Sequence, residues 1–484
     1  MNIRLIERIL GKLLIAYAGS MCVPLLMAVF LRETSFIPLL ISILITSVTG
    51  IILLTVGKTQ GRVGVREGFA IVAGAWALTS LFGALPYWFS GSVLSYIDGV
   101  FETVSGLTTS GASVIDNVEI LPKSILLWRS ITHWLGGMGI IVLFIVFLPS
   151  VGSGAVHLFN AEVPGPLADK VLPRIRDTAI QLWKIYAIFT FIQVVLLVIF
   201  GMSVFDAVNH SFATLATGGF STKNSSIKYY DSIAIELTIV FFMILAGGNF
   251  GIYLQAWHKK TLKPFKNTEL IWFLTIIACS TVIIAASLWL DQGVGVGKSL
   301  RESLFQVASI ITTTGFMSAD FDQWPSLAKI VLFILMFVGG SAGSTAGGIK
   351  VSRLIILFKL WWAELRRATH PRIVTSIKSD GKVVDPVVLN TVSRFFFIYI
   401  SIFTLATILV AATGLEPFDA MSAVAATLGN VGPGFGVVGP TTTFSSVSIF
   451  GEVVLILCML LGRLELFTLL VLLQPEFWRK KKGW

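Results

Sequence analysis

The sequence predicts an all-α integral membrane protein in which four repeats of span, short helix and span surround one pseudo-fourfold axis, preceded by two extra transmembrane helices. Three observations predict this architecture. Of the 484 residues, 55% are hydrophobic and only 13% are charged, which is too little polar surface to cover a soluble core. Apolar runs of about 20 residues, long enough to cross a bilayer, recur along the chain. A short pattern that ends in glycine returns four times, about one hundred residues apart.

The apolar runs predict ten full spans. They lie near residues 13–31, 36–56, 69–90, 123–149, 179–202, 232–256, 269–290, 326–358, 389–413 and 447–473. The first run follows three basic residues, as in a signal peptide, and contains the cleavage-like sequence Ala16-Tyr17-Ala18. Because the run continues to Leu31 after that point, we favour an uncleaved first helix.

Four shorter semi-apolar segments lie between consecutive spans. They occupy residues 98–110, 206–218, 302–314 and 419–431. Since they are too short to cross the membrane and end in Gly-, Ser/Thr- or Asn-containing sequence, they predict re-entrant helices followed by loops. The predicted units are an N-terminal two-helix segment, 1–67, and four repeats, 68–170, 171–266, 267–386 with a broken helix, and 387–484.

The distribution of charge predicts the topology. The net charge of +10 would suggest nucleic-acid binding in a soluble protein, but here the basic residues lie in short gaps between spans, where they set orientation. Lys and Arg concentrate in alternate loops and acidic residues in the others, so both termini are predicted to be cytoplasmic. This topology requires all four short segments to return on the outer side. Three cysteines, all inside apolar runs, show no metal-ligand spacing.

Alignment of the four repeats on Gly111, Gly219, Gly315 and Gly432 brings the same residue types into register. An acidic residue stands thirteen positions before each glycine, at Asp98, Asp206, Glu302 and Asp419. An acidic side chain at a helix start caps the free N–H groups there and is stabilised by the positive end of the helix dipole. Each short helix would then run inward, with its negative end directed toward the membrane midplane. The glycine would let the backbone turn so that carbonyl oxygens face the axis.

Four such turns around one axis predict a cation site, because rings of backbone carbonyls can replace the hydration shell of potassium. The alternative, glycines that allow close helix packing, explains one repeat but not the fourfold set. The predicted filter residues are Thr109, Ser110, Gly111, Thr217, Gly218, Gly219, Thr313, Thr314, Gly315, Asn430, Val431 and Gly432.

At these residues the sequence resembles the Trk/Ktr family of potassium-uptake proteins, and most of all its Trk-type pore subunit. The motifs that carry the resemblance are Thr108-Thr109-Ser110-Gly111-Ala112, Ala216-Thr217-Gly218-Gly219-Phe220-Ser221-Thr222, Thr312-Thr313-Thr314-Gly315-Phe316, Gly429-Asn430-Val431-Gly432-Pro433-Gly434, Gly339-Gly340-Ser341-Ala342-Gly343-Ser344-Thr345, Ala161-Glu162-Val163-Pro164-Gly165-Pro166 and Gly462-Arg463-Leu464-Glu465. The resemblance implies potassium uptake across a bacterial inner membrane, with weaker exclusion of sodium and permeation of rubidium. Ser110 departs from the family's more common threonine and keeps the hydroxyl.

The eighth span and one arginine predict a gate. The span contains Gly339, Gly340, Gly343, Gly347 and Gly348, with Ser341, Ser344 and Thr345 among them. Since each glycine costs about 1 kcal/mol in a helix interior, a mobile loop beneath the filter is favoured over a kinked packing helix, as the resemblance also implies. Arg463 is predicted to lie mid-span, either as a positive barrier below the filter, as in the family, or paired with a carboxylate such as Glu236 or Glu452.

The resemblance also implies partners. It implies a homodimer with one pore in each protomer, and docking of a cytosolic TrkA-like nucleotide-binding regulatory subunit to the basic loops at 168–184 and 359–382. The chain itself shows no nucleotide-binding glycine fingerprint. No covalent cofactor is expected, and potassium is the ion in the pore.

Two other functions compete with a channel-like pore. Alternating-access carriers, including symporters that couple potassium to sodium or protons, also use broken helices and repeats. The acidic residues lie at the outer ends of the short helices, however, which favours cation attraction over a buried coupling site. An intramembrane hydrolase would need a nucleophile and base together, and the serines show no elbow motif.

Overall fold

The computed structural model describes residues 1–57, 63–139, 175–370, 373, 376–379 and 382–479. The remaining residues include the second part of the fourth predicted span, the Ala161–Pro166 motif and a smaller part of the two predicted docking loops (168–174, 371–372, 374–375 and 380–381), which therefore lie outside the described residues.

The described chain is almost entirely helical. The helices are α1 (Ile3–Leu31), α2 (Phe36–Val56), α3 (Val65–Gly83), α4 (Leu85–Phe89), α5 (Tyr96–Leu107), α6 (Lys123–Gly137), α7 (Ile175–Ile199), α8 (Val204–Leu215), α9 (Ile233–Gly247), α10 (Phe250–Lys259), α11 (Thr268–Gln292), α12 (Val296–Ile311), α13 (Ser326–Leu335), α14 (Val351–Thr369), α15 (Pro386–Ala411), α16 (Pro417–Leu428), α17 (Ile449–Arg463), α18 (Phe467–Leu470) and α19 (Pro475–Trp478). One small antiparallel hairpin pairs β1 (Lys378–Ser379) with β2 (Lys382–Val383).

Among the residues that the structure describes, six helical segments are long and apolar enough to cross a membrane: α1, α2, α3 with α4, α7, α11 and α15. Two bent pairs, α9–α10 and α17–α18, raise this number to eight if each pair is one span. Their length and composition establish several apolar spans, whereas the count of ten stays a prediction.

The predicted spans 232–256 and 447–473 are not continuous helices, because each is sharply bent. The bends measure 88° between α9 and α10 and 111° between α17 and α18 with the helical turn that follows it. At the first bend the Asn249 side chain accepts the Gly251 N–H at 2.8 Å and so starts a new helix. At the second, Glu465 and Leu466 have φ of 51° and 61°, which no α-helix can continue through.

The two extra helices pack against the first repeat. Gly11 of α1 and Gly50 of α2 meet so closely that a Cβ on Gly11 would lie 2.6 Å from the Gly50 carbonyl oxygen, an approach that only small residues permit. Further along, buried Tyr17 of α1 contacts Trp128 of α6, with ring centroids 5.5 Å apart. The indole N–H of Trp128 donates to the Gly83 carbonyl at 3.1 Å, which fixes α6 to the end of α3.

The four short helices are α5, α8, α12 and α16, and each ends four residues before its repeat's aligned glycine. Asp98 forms a capping box with Ser95, and Asp206 and Asp419 also lie in the first turns of their helices. The predicted helix-start position of Glu302 is wrong. Helix α12 begins earlier, at Val296, so Glu302 lies in its second turn, with a carboxylate oxygen 3.7 Å from the Lys298 ammonium.

Candidate functional site

The four aligned turns adopt one backbone conformation. Two residues before each glycine the backbone has a positive φ, and the glycine has another. The values are 55° and 84° at Thr109 and Gly111, 55° and 78° at Thr217 and Gly219, 54° and 78° at Thr313 and Gly315, and 54° and 100° at Asn430 and Gly432. We call these segments, 109–111, 217–219, 313–315 and 430–432, the glycine turns.

Each glycine turn is tied to its own short helix by the same hydrogen bond. The residue before the glycine donates its N–H to a carbonyl five residues earlier. The four bonds are Ser110 to Ser105 (2.9 Å), Gly218 to Ala213 (2.8 Å), Thr314 to Ser309 (2.8 Å) and Val431 to Ala426 (2.8 Å). Positive φ is strained for any residue but glycine, so this repeated bond helps to hold the turns in place.

The glycine turns meet in a closed ring. A Cβ added to Gly111 would overlap the Gly218 carbonyl oxygen, and one added to Gly219 would overlap that of Thr314. In the same way Gly315 abuts Val431, and Gly432 abuts Ser110, which returns to the first repeat. The structure therefore brings all four predicted segments together, each glycine against the carbonyl that precedes the next glycine. Both the close approach and the positive φ require glycine.

The side chains two residues before each glycine are buried and bond to backbone. The hydroxyls of Thr109 and Thr217 donate to the carbonyls just before them, at 2.7 and 2.6 Å. The Thr313 hydroxyl accepts the Gly347 N–H at 2.7 Å, and the Asn430 amide donates to the Met459 carbonyl at 3.1 Å. These side chains brace the turns, and the fourth differs from the others in chemistry as well as in partner.

A second set of aligned polar side chains, which sequence reasoning missed, supports the chain segments that follow the glycine turns. Nine residues before the glycine stand Glu102, His210 and Gln306. Glu102 accepts the Ser113 hydroxyl at 3.1 Å, and the His210 Nε2 lies 2.9 Å from the Ser221 hydroxyl. The signal was available, because polar residues recur at this aligned position in three of the four repeats.

A buried ion pair within the first repeat also contacts the second repeat through its arginine. The Arg129 guanidinium donates to the Glu102 carboxylate at 2.7 Å, to the Ser113 hydroxyl at 3.2 Å and to the Ser221 carbonyl at 3.3 Å. It also lies 4.0 Å from the centroid of the Phe220 ring. Arg129 is therefore paired with a buried carboxylate of its own repeat.

His133 makes a second link between the same repeats. Its Nδ1 lies 2.7 Å from the Gly106 carbonyl oxygen, and its Nε2 accepts the Phe220 N–H at 3.1 Å. A ring that donates through one nitrogen and accepts through the other is neutral. His133 thus connects the first short helix to the residue that follows Gly219.

The loop between α13 and α14, residues 336–350, interrupts the eighth predicted span as the glycine content indicates. It lies against the ends of the short helices. The Thr345 hydroxyl donates to the Leu215 carbonyl at 3.1 Å, and Gly347 donates its N–H to Thr313. A Cβ on Gly347 would lie 2.6 Å from the Gly429 carbonyl oxygen. The loop therefore contacts the second, third and fourth repeats beside the ring.

Arg463 completes the contacts of this loop. It is the last residue of α17, at the bend between α17 and α18. Its guanidinium donates to the Thr345 carbonyl at 2.7 Å and to the Gly136 and Gly137 carbonyls of α6 at 2.5 and 2.9 Å. Glu236, one predicted partner, instead accepts from Arg301 at 2.7 Å.

Three comparisons with known proteins find similarity to the same family. A family model described as TrkH, cation transport protein, matches residues 38–480. The Trk system potassium uptake proteins TrkH of Halomonas elongata and Escherichia coli K12 are each 40% identical to this chain, over 99% of it and 100% of their own length. The crystal structure of the potassium transporter TrkH from Vibrio parahaemolyticus superposes with a TM-score of 0.89 at 37% identity, covering 99% of this chain and 100% of that one.

Proposed function

We propose, from the premise that this chain belongs to the TrkH family of cation transport proteins, that it passes potassium through a gated pore along the axis of the ring of glycine turns. The chain is a multi-pass membrane protein of a bacterial potassium-uptake system, and a transporter rather than an enzyme. The observation that carries the finer proposal is the closed ring, in which four identical backbone turns from one chain surround a single axis.

The ring has the electrostatics that a desolvated cation needs. Four short helices end four residues before the ring glycines, and each contributes roughly half a negative charge at its C-terminal end. Carbonyl oxygens that line the turns would replace the water around potassium. Because one glycine per repeat supports a shorter stack of carbonyls than a long filter signature does, rubidium would also permeate and sodium would be excluded only in part.

The 336–350 loop and Arg463 form the proposed gate. The loop bonds to Thr313 of the ring and to the end of α8. Arg463 ties the same loop to α6 through the Thr345, Gly136 and Gly137 carbonyls. A loop that is bonded to several repeats at once would block the ion path below the ring. Release of the loop would open that path.

The finer cellular setting belongs to the same proposal. We place both termini in the cytoplasm of a bacterium with the protein in its inner membrane, and we assign a homodimer with a TrkA-like regulatory subunit. Helix α14, which contributes residues 359–369 to the docking region, has Arg366 and Arg367 in its last turn, which gives a cytosolic partner a basic surface.

One pair of variants tests the ring. Gly315→Ala would place a methyl group on the Val431 carbonyl at φ of 78°, whereas Gly91→Ala has a similar φ of 69° with open space around it. Potassium, rubidium and sodium uptake would be compared in a potassium-starved host that lacks its own uptake systems. We expect Gly315→Ala to abolish uptake or to remove its selectivity for potassium over sodium, and Gly91→Ala to retain both. Normal uptake and selectivity in folded Gly315→Ala would contradict the proposal, and single-channel conductance in bilayers would separate a channel from a symporter.

A further inference from the structure

We propose that Glu269 is a positioning residue that holds the 336–350 loop in its closed position. A single oxygen of its carboxylate, Oε1, accepts the N–H of Ala342 at 2.7 Å and the N–H of Ser352 at 3.1 Å. Ala342 lies within the glycine-rich part of the loop, and Ser352 lies in the first turn of α14. One side chain of α11 thus fixes both the middle of the loop and the helix that follows it.

The two hydrogen bonds to the Glu269 carboxylate are stronger than ordinary backbone hydrogen bonds. The first N–H groups of a helix have no partner inside it, and Glu269 supplies one to Ser352 of α14. The bonds are charge-assisted, which makes them shorter and stronger than those between neutral groups. The glycines of the loop favour many backbone conformations in its absence, so an anchor on one oxygen restricts the loop to few of them.

Glu269 also connects the loop to a segment outside it. It is the second residue of α11, and the Asn267 side chain caps that helix by accepting the Glu269 N–H at 2.9 Å. The basic segment that ends in the helical turn Lys263–Lys266 comes directly before it. A displacement of this segment would therefore move the carboxylate away from the loop. This inference rests on the proposed gating role of the loop and adds a route by which a cytosolic event would act on it.

The chain contains a matched control. Glu33 also accepts two successive backbone N–H groups, those of Lys123 at 2.9 Å and Ser124 at 3.0 Å. It caps the start of α6, a helix joined to α1 and α3, and within the described residues its hydrogen bonds go to α6 and to Ser35 and not to the 336–350 loop. Removing its carboxylate tests whether the loss of any such cap alters transport.

The experiment measures rubidium influx into proteoliposomes that contain the full chain and no partner protein. We expect basal influx to rise about tenfold in Glu269→Ala, which corresponds to 1.4 kcal/mol in the closed-to-open equilibrium. The rise should be about threefold in Glu269→Gln, since the amide keeps an acceptor oxygen, and absent in Glu33→Gln. Thiol labelling of Ser344→Cys, in a background without the three native cysteines, should accelerate in the same order.

A deletion of residues 343–346 separates the two proposals. If the deletion raises influx while folded Glu269→Ala and Glu269→Gln leave both influx and labelling unchanged, the role of Glu269 is refuted and the gate stands. If neither the deletion nor the Glu269 variants raise influx, the gate itself fails. If Glu269→Ala does not fold, unchanged labelling in Glu269→Gln is the refuting result.

Discussion

The ion pair between Arg129 and Glu102 gives a quantitative prediction. Replacing Arg129 with methionine leaves the Glu102 carboxylate buried without its cation, because Glu102 is 0% exposed and Arg129 only 3%. Breaking a buried pair in this way costs about 3–5 kcal/mol. The Ser113 hydroxyl and the Val114 N–H would still donate to Glu102, at 3.1 and 3.3 Å, so we expect the lower end of that range.

Removing both charges should restore much of the loss. In the double variant Glu102→Gln with Arg129→Met, the glutamine still accepts from Ser113 and no buried charge remains. We therefore expect the double variant to be about 1–2 kcal/mol more stable than Arg129→Met alone, which makes the double-mutant cycle strongly non-additive.

The assay is detergent-induced unfolding in mixed micelles, combined with competition between sodium and rubidium for uptake. Arg301→Met is the control, since Arg301 pairs with Glu236 but its side chain is 28% exposed, and water can partly replace the lost partner. Additive losses across the cycle, or a loss in Arg301→Met as large as that in Arg129→Met, would refute the reasoning. We also expect Arg129→Met to weaken sodium exclusion, because Arg129 bonds to Ser113 and Ser221 in the segments that follow two of the four glycine turns.

Three further outcomes follow from the site. Arg463→Ala should speed potassium flux, since it removes the bond to the Thr345 carbonyl and the two bonds to α6 through which Arg463 ties the loop to that helix; slower or unchanged flux in folded protein would contradict this. Thr313→Val leaves the buried Gly347 N–H without its acceptor, costs about 1–3 kcal/mol, and should raise basal rubidium influx, with unchanged influx counting against the loop contact. The Ser445 and Thr443 hydroxyls hold the pKa of Asp116 below its usual value, so this outer contact stabilises the protein above pH about 4 and is lost as pH falls through the lowered pKa. The protection of the amides of residues 443–446 against hydrogen exchange, measured relative to the intrinsic exchange rate at each pH, should then fall in acid, and Asp116→Asn should abolish that fall.

The periodic features of the chain were predictable from sequence. Four aligned glycines, each preceded by threonine or asparagine at the same distance, predicted turns that the structure does bring together. The glycine content of the eighth span likewise predicted the interruption at 336–350. Their use in potassium selection and gating stays a prediction.

The failures have a common physical cause, because hydropathy reports composition and not backbone direction. Gly247-Gly248-Asn249 lies within an apolar run, yet the Asn249 side chain starts a second helix there. The column of acids placed Glu302 at a helix start, but the true start depends on the local sequence before Val296. Contacts such as Arg129 with the Ser221 carbonyl join separate repeats, and no pattern within one repeat reveals them.

The ring of glycine turns is made by one polypeptide, and this has an evolutionary consequence. In an assembly of identical subunits every substitution is made at all positions around the axis at once. Here each quarter mutates alone, and the fourth has already diverged, with Asn430 where the other three carry threonine. Selection, or a protein engineer, can therefore alter the ring in single steps of one quarter while the remaining three preserve the framework.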